Sequence, residues 1–359
     1  MSGVMYAVDD LLQLATACFQ AAGVTDEDAR WTAQVLVRAD LQGTATHGLS
    51  RLSAYVSGIC NGKIKPQPEM KIDETGPATA VIDGDQGLGP VVGKIAMEAA
   101  LDKAKVAGVG ITAVRNGNHA GAMSTYTELA ASRGCIGFAL TNAQPAIPPW
   151  GGRKAYFGTN PIALAAPQKD GQPVSIDLAT SVVARGNIIM AAKRNEPIPG
   201  GWAIDANGDP TTDAAAALKG ALLPMAGPKG YSLALIVEIL SGLLSGGNFG
   251  YNVGSIYDEG TAPPGTSMFF MALNPDFFIG QSIFETRVSQ LAREVTSVPL
   301  ASGHERIRMP GDRRQRLENE RRLQGVPIAS ETEKELRQIC KKYSITMPKS
   351  LAPKSPVAY

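Results

Sequence analysis

The connector Lys65-Pro66-Gln67-Pro68 divides the chain into two textures. Two prolines fix φ and push the residues before them toward extended backbone, so neither a helix nor a central strand runs through this point. It is a candidate domain boundary. Residues 8–62, ahead of it, read as helical. A first amphipathic helix ends near Gly23, and Thr25 with Asp28 has the spacing of a capping box that opens a second helix. That helix runs over 29–41 and ends near Gly43; a third begins around His47 and stops near Gly62.

Beyond the connector, strand and helix alternate. Residues 78–83 predict a strand, 83–90 a glycine-rich turn, 91–107 a helix and 110–114 a strand. The loop Asn116-Gly117-Asn118-His119-Ala120-Gly121 follows, then a helix over about 122–132 and a strand over 136–141. This order predicts an α/β domain. Segment 140–213 is rich in Pro, Gly and Asn and predicts long functional loops; 230–244 predicts a buried helix, 268–273 a strand, and the C-terminal third returns to helix. No internal repeat is visible.

A length of 359 residues allows a large core or two to three domains. The net charge of +1 gives no global electrostatic case for nucleic acid or an anionic membrane. The basic stretch from Arg306 to Lys342 reads as a solvated helix face. Cys18, Cys60, Cys135 and Cys340 are scattered and form no CxxC pair, which argues against a disulfide framework or zinc site and for a reducing compartment. The N-terminus reaches Asp9 and Asp10 before any apolar core, so no signal peptide is expected. The longest apolar run, 231–244, contains Glu238 and is too short to span a bilayer. The expectation is a cytoplasmic protein.

Two phosphate-binding motifs fit only by letter. Gly108-Val109-Gly110-Ile111-Thr112-Ala113 matches G-x-G-x-x-A, but here helix precedes strand, the reverse of what a phosphate at a helix N-terminus needs. Gly87 to Lys94 is one residue too long for a P-loop, and Ile95 stands where Ser or Thr must hold magnesium.

Three histidines remain to be weighed. His47, Arg51 and Tyr55 are spaced four apart, so on a helix they share one face. A titratable imidazole beside a guanidinium fork suits chemistry on a small organic acid: general acid/base at His47, a carboxylate clamp at Arg51. The plain alternatives are a capping histidine, an exposed arginine and a core tyrosine. His119 follows a predicted strand, where α/β proteins place ligands, and the helix after it favours an anion such as pyrophosphate; the alternative is a simple Asn-Gly turn. His304 reads as a surface residue. No two histidines share a metal-ligand spacing, so no metal is expected.

Six blocks then stand in order: Arg38-Ala39-Asp40-Leu41 through Thr46-His47-Gly48, Asn118-His119-Ala120-Gly121-Ala122, Trp150-Gly151-Gly152 with Gly158-Thr159-Asn160-Pro161, Asp177-Leu178-Ala179-Thr180-Ser181, Ala184-Arg185-Gly186, and Ala226-Gly227-Pro228-Lys229-Gly230. In these the chain resembles the malate/L-lactate dehydrogenase family of the non-Rossmann type, over about residues 8–345 and nearest in look to its ureidoglycolate dehydrogenase branch. The resemblance implies an α/β sulfolactate-dehydrogenase-like fold with a mostly antiparallel sheet. It implies an NAD(P)-binding domain over 76–265, inserted between residues 1–75 and 266–359 of a helix-rich substrate and dimer domain. It further implies a homodimer and hydride transfer between NAD or NADP and a small 2-hydroxy or 2-oxo acid.

By the same resemblance His119, Ala120, Gly121, Ala122, Met123, Ala143, Thr159, Asn160, Asp177, Leu178, Ala179, Lys229, Arg306, Pro310 and Gly311 would line the cofactor. His47, Arg51 and Tyr55 would face the substrate. In the ureidoglycolate branch the counterpart of His119 accepts the proton; in the imine-reductase branch the counterpart of His47 donates it, helped by a preceding Ser and a later Asp. This chain has Thr46 and Asn187 at those places, and Asn carries no charge to raise a histidine pKa. The reading therefore favours His119 as base, with His47, aided by Thr46, as the alternative. A cyclic-imine reductase and a non-catalytic binding protein are the competing readings.

Overall fold

The computed structural model describes residues 3–257 and 260–351; the outermost residues of the first and last expected domains lie outside them. The chain divides into two compact units, Met1–Gln67 with Ala292–Tyr359, and Pro68–Leu291.

In chain order, the first unit opens with β1 (Val4–Tyr6), α1 (Val8–Ala21), α2 (Asp26–Leu41), two 3₁₀ turns (Ala45–His47 and Leu49–Arg51) and α3 (Leu52–Cys60). The second carries β2 (Lys71–Asp73), β3 (Thr79–Asp83), α4 (Gly89–Ala107), β4 (Val109–Gly117), α5 (Ser124–Ser132), β5 (Ile136–Thr141), β6 (Ile162–Ala166) and β7 (Val174–Leu178). It continues with α6 (Arg185–Arg194), β8 (Ala203–Ile204), β9 (Pro210–Thr211), α7 (Ala214–Lys219), β10 (Ala221–Leu222), α8 (Pro228–Glu238) running into a π turn (Ile239–Leu243), and β11 (Thr266–Leu273). The division falls within α9 (Gln281–Ser297), after which α10 (Asp312–Gln324), β12 (Val326–Ile328) and α11 (Ser330–Tyr343) complete the first unit.

In the first unit the expected capping box forms, with Asp28 N donating to Thr25 Oγ1 at 3.3 Å. α2 packs on α1 and α10, and β1 pairs antiparallel with β12. Leu11, Phe19, Leu36, Leu52 and Tyr55 fill its core.

The second unit is built on a seven-stranded sheet of order β2-β3-β4-β11-β5-β6-β7. β3 and β4 run parallel through α4, and the other five neighbouring pairs are antiparallel. Side chains alternate along β11. Phe270 meets Tyr126 of α5 on one face, while Phe269 packs with Val237 of α8 on the other. α4 and α5 therefore cover one face of the sheet, and α8 with its π turn covers the opposite one.

Three expectations change. The domain boundaries placed at 75/76 and 265/266 fall at 67/68 and 291/292, because β2 pairs with β3 and β11 lies in the middle of the sheet. Segment 140–213 is more than loops: β6, β7 and α6 lie within it, and β8 and β9 join β10 in a small sheet whose surroundings have a core of their own, including Ile147, Phe157, Ile188 and Ile198. Strands of two residues are too short to show an alternating pattern. Helix 230–244 is buried on one side only, and Leu235, Ile236, Ile239, Leu243 and Leu244 are exposed.

The glycine pair that imitated a dinucleotide motif has two packing roles. Gly108 closes α4 in the left-handed region at φ 77°. A Cβ on Gly110 would stand 1.8 Å from the Ala100 carbonyl oxygen, so glycine is what lets α4 lie on β4.

Candidate active site

His47, Arg51 and Tyr55 do not share one helical face. His47 ends the first 3₁₀ turn and Arg51 ends the second; the chain leaves helical geometry between them at Gly48, with ψ −149°. Tyr55 lies in α3, 1% exposed, with its ring 6.4 Å from that of Phe19. Burial pushes its hydroxyl well above the usual tyrosine range. Tyr55 thus anchors the segment in the core.

Thr46 Oγ1 lies 3.1 Å from His47 Nδ1, and Arg51 Nε donates to the Thr46 carbonyl at 2.5 Å. The imidazole keeps some accessible surface but is densely surrounded. That desolvation, with the Arg51 charge second, lowers its pKa to about 4, so the ring is neutral at physiological pH. Arg51 Nε is committed to the backbone, and burial lowers the guanidinium pKa against the opposing pull of Tyr55 and Glu335.

Arg306, Pro310 and Gly311 also belong to this unit. Arg306 and Pro310 are exposed ahead of α10, and Gly311 opens that helix at φ 100°. His304 is exposed in a turn, with its N–H on Ala301 O at 3.2 Å.

In the second unit the strand registers gather the expected cofactor residues at one end of the sheet. β4 ends at Gly117 opposite Thr266, where β11 begins; Met268 pairs with Thr141 at the end of β5; Leu140 pairs with Ile162 at the start of β6; and Ile162 pairs with Leu178 at the end of β7. His119 to Met123, Ala143, Thr159 with Asn160, and Asp177 to Ala179 therefore all emerge at that edge. Side chains and backbone stitch them together. Ser124 N donates to Asp177 Oδ2 at 2.8 Å, and Thr180 N and Oγ1 both donate to Thr159 O, at 2.9 and 3.0 Å. Met225 N donates to Thr180 O at 2.9 Å, which brings the Ala226-Gly227-Pro228-Lys229 turn to the same end, with Lys229 exposed. The N-terminus of α5, expected to attract a ligand anion, already receives the Asp177 carboxylate at Ser124.

Gly121 N donates to His119 Nδ1 at 3.3 Å, so Nδ1 serves as an acceptor. The loop rests on the turn after β3. Asn118 Nδ2 donates to Gln86 O and Gly87 O at 2.8 and 3.0 Å, and a Cβ on Gly89 would stand 2.2 Å from His119 O. The turn that begins at Gly87 is thus filled by the protein's own backbone. With Nδ2 pinned, Asn118 Oδ1 is presented as a buried acceptor; it and Asn160 Oδ1 have no protein hydrogen-bond partner among the described residues.

Sequence reasoning missed two groups that organise these regions. Asp40, 4% exposed, accepts from Leu49 N at 2.7 Å. Glu238, 3% exposed, accepts from Asn160 Nδ2 at 2.7 Å and Gly250 N at 2.8 Å. A signal existed for Glu238, the lone charge in the longest apolar run. Asp40 stands in the first of the family-like blocks, but nothing around it in sequence marks its role, because it sits between apolar residues in an ordinary helix.

The second unit thus has a mostly antiparallel, non-Rossmann sheet with small-residue loops at one end, and the first unit bears a neutral histidine followed by an arginine. The chain belongs to the malate/L-lactate dehydrogenase family, whose model matches residues 6–337. It is 43% identical over 329 residues to the L-sulfolactate dehydrogenase of Methanocaldococcus jannaschii, covering 90% of this chain and 93% of that one. It is 37% identical over 310 residues to the ureidoglycolate dehydrogenase (NAD(+)) of Escherichia coli strain K12, covering 86% and 88%. The solved sulfolactate dehydrogenase from M. jannaschii superimposes with a TM-score of 0.88 at 41% identity, over 96% of this chain and 98% of that one. Among the described residues no helix is long and apolar enough to cross a membrane.

Proposed function

We propose that the protein is an NAD(P)-dependent dehydrogenase acting on the CH–OH of a small 2-hydroxy acid of the malate, lactate, sulfolactate or ureidoglycolate type. Beyond family membership, the observation that carries this reading is the neutral His47, bonded to Thr46 and followed by Arg51. The nicotinamide, when bound, takes or gives the hydride. In oxidation His47 Nε2 accepts the hydroxyl proton, and Thr46 Oγ1 accepts from the Nδ1–H of the imidazolium so formed. Arg51 holds the carboxylate and orients the reacting carbon. His119, with Nδ1 occupied by Gly121 N–H, acts as a hydrogen-bond donor through Nε2. This exchanges the roles that the sequence reading favoured.

The residues at the sheet end fit a nicotinamide dinucleotide. Asn118 Oδ1 and Asn160 Oδ1 are buried acceptors suited to amide or ribose hydroxyl donors, and Ala120, Gly121, Ala122, Ala143 and Ala179 allow close approach of the backbone. Lys229, exposed at that end, supplies a cation for phosphate; the expected cofactor residues Arg306, Pro310 and Gly311 belong to the other unit.

A homodimer belongs to the same reading. α8 and its π turn direct Glu238 and Ser241 inward and a stripe of Leu and Ile outward, the reverse of a solvated helix. A second copy is the partner that covers such a stripe in every molecule alike. A cytoplasmic location is supported by four cysteines present as thiols.

The test is turnover of NAD and NADP with malate, lactate, sulfolactate and ureidoglycolate, with calorimetry for cofactor binding and light scattering for mass. Reduced cofactor with at least one acid is the expected result. No turnover with any pair and no cofactor binding would sink the enzyme reading.

A further inference from the structure

We infer that Asp40 is the positioning residue of the His47–Arg51 segment: its carboxylate fixes the kink at Gly48 that sets these two side chains on successive turns. Oδ2 takes the Leu49 N–H at 2.7 Å, the first donor after the kink. A Cβ on Gly48 would stand 2.3 Å from Cγ and from both oxygens of Asp40, so the carboxyl lies flat on the Gly48 backbone and excludes any side chain there. Asp40 is itself held in place, because Arg321 of α10 and Gly43 N both donate to its carbonyl oxygen. An apolar residue at this position would leave the Leu49 N–H without its acceptor and release the turn.

Placing a carboxylate here is costly, and its burial raises the Asp40 pKa to about 7 against the opposing pull of Leu49 N–H and Arg321. The charged groups around it are few. α10 contributes Arg321, while Glu318 of the same helix is turned to Arg38 and Gln42. α1 carries only Asp9 and Asp10, both in its first turn, and β12 carries none. His47 and Arg51 lie on the turns themselves. Ionisation of Asp40 near neutrality therefore strengthens the bond to Leu49 and tightens the segment.

Asp40→Asn, Asp40→Leu and Gly48→Ala test this. Asn keeps an acceptor of the same shape, Leu keeps the volume without it, and Gly48→Ala displaces an intact carboxylate. Asp40→Leu and Gly48→Ala are expected to lower kcat on the order of 100-fold, the effect of misplacing a catalytic group by about 1 Å, with cofactor affinity unchanged. Asp40→Asn is expected to keep most of kcat, because its amide oxygen can still accept from Leu49 N. These kinetics rest on the proposed dehydrogenase reading. Carbon–proton NMR of the three histidines does not, and it is expected to show a second inflection near pH 7 at His47 that Asp40→Asn abolishes. A His47 signal with its own inflection alone, or wild-type kcat in Asp40→Leu, would overturn the proposal.

Discussion

The carboxylate of Asp177, near the end of β7, caps the first amide of α5 at Ser124, 2.8 Å away. Two segments 53 residues apart in sequence are thereby locked together. An anion at a helix N-terminus is favoured by the unpaired N–H groups and by the helix dipole. Asp177→Ala is expected to cost about 1 kcal/mol of stability and to weaken NAD(P) binding, whereas Asp177→Asn, which keeps an acceptor, recovers most of the stability. Urea unfolding and calorimetric cofactor titration of the pair read this directly.

Gly89 lies beneath the carbonyl of His119. Its absent Cβ would stand 2.2 Å from that oxygen, and backbone yields less readily than a side-chain tip. Gly89→Ala is expected to destabilise by about 1–3 kcal/mol and to displace His119. Thermal unfolding and kcat should fall together; an unchanged kcat would free the His119 loop from this support.

Asp40 and His47 oppose each other in pH dependence. Asp40, raised from 3.8 to about 7, contributes stability that is fully present below pH 3.8 and lost as pH rises through 7. His47, lowered from 6.5 to about 4, contributes stability present above pH 6.5 and lost as pH falls through 4. Between about pH 4 and 6.5 the two slopes have opposite signs. His47→Asn should leave a stability that declines toward neutrality, and Asp40→Asn one that rises. Denaturant unfolding at pH steps separates them, and identical slopes in both variants would refute the assignment.

Glu238 is surrounded by donors. Gly250 N and Asn142 Nδ2 reach Oε1 at 2.8 and 3.4 Å, and Asn160 Nδ2 reaches Oε2 at 2.7 Å. Glu238→Gln must turn an NH₂ toward one of them, so a cost of about 1–3 kcal/mol is expected despite the near-identical shape. A midpoint in urea equal to that of the wild type would show that the network rearranges freely.

Much of the second unit was legible in advance. β3, α4, β4, α5 and β5 lie close to where the alternation predicts them, since runs of five or more residues carry enough pattern to identify. Element order alone, α4 before β4, separates the glycine pair at 108 and 110 from a dinucleotide motif. The helical face of His47, Arg51 and Tyr55 was not legible. Its spacing is helical, but the Asp40 carboxyl that breaks it at Gly48 comes from eight residues earlier, and nothing local announces it.

The sequence by itself determined the class of the protein and the mainly helical character of the N-terminal segment. Local pattern and short motifs carry that information because they depend on neighbours along the chain. Tertiary structure alone decided which segments meet at the end of the sheet, which nitrogen of His119 is occupied and why His47 stays neutral. Those properties depend on strand register, burial and hydrogen-bond partners far away in sequence, and they exist only once the chain has folded.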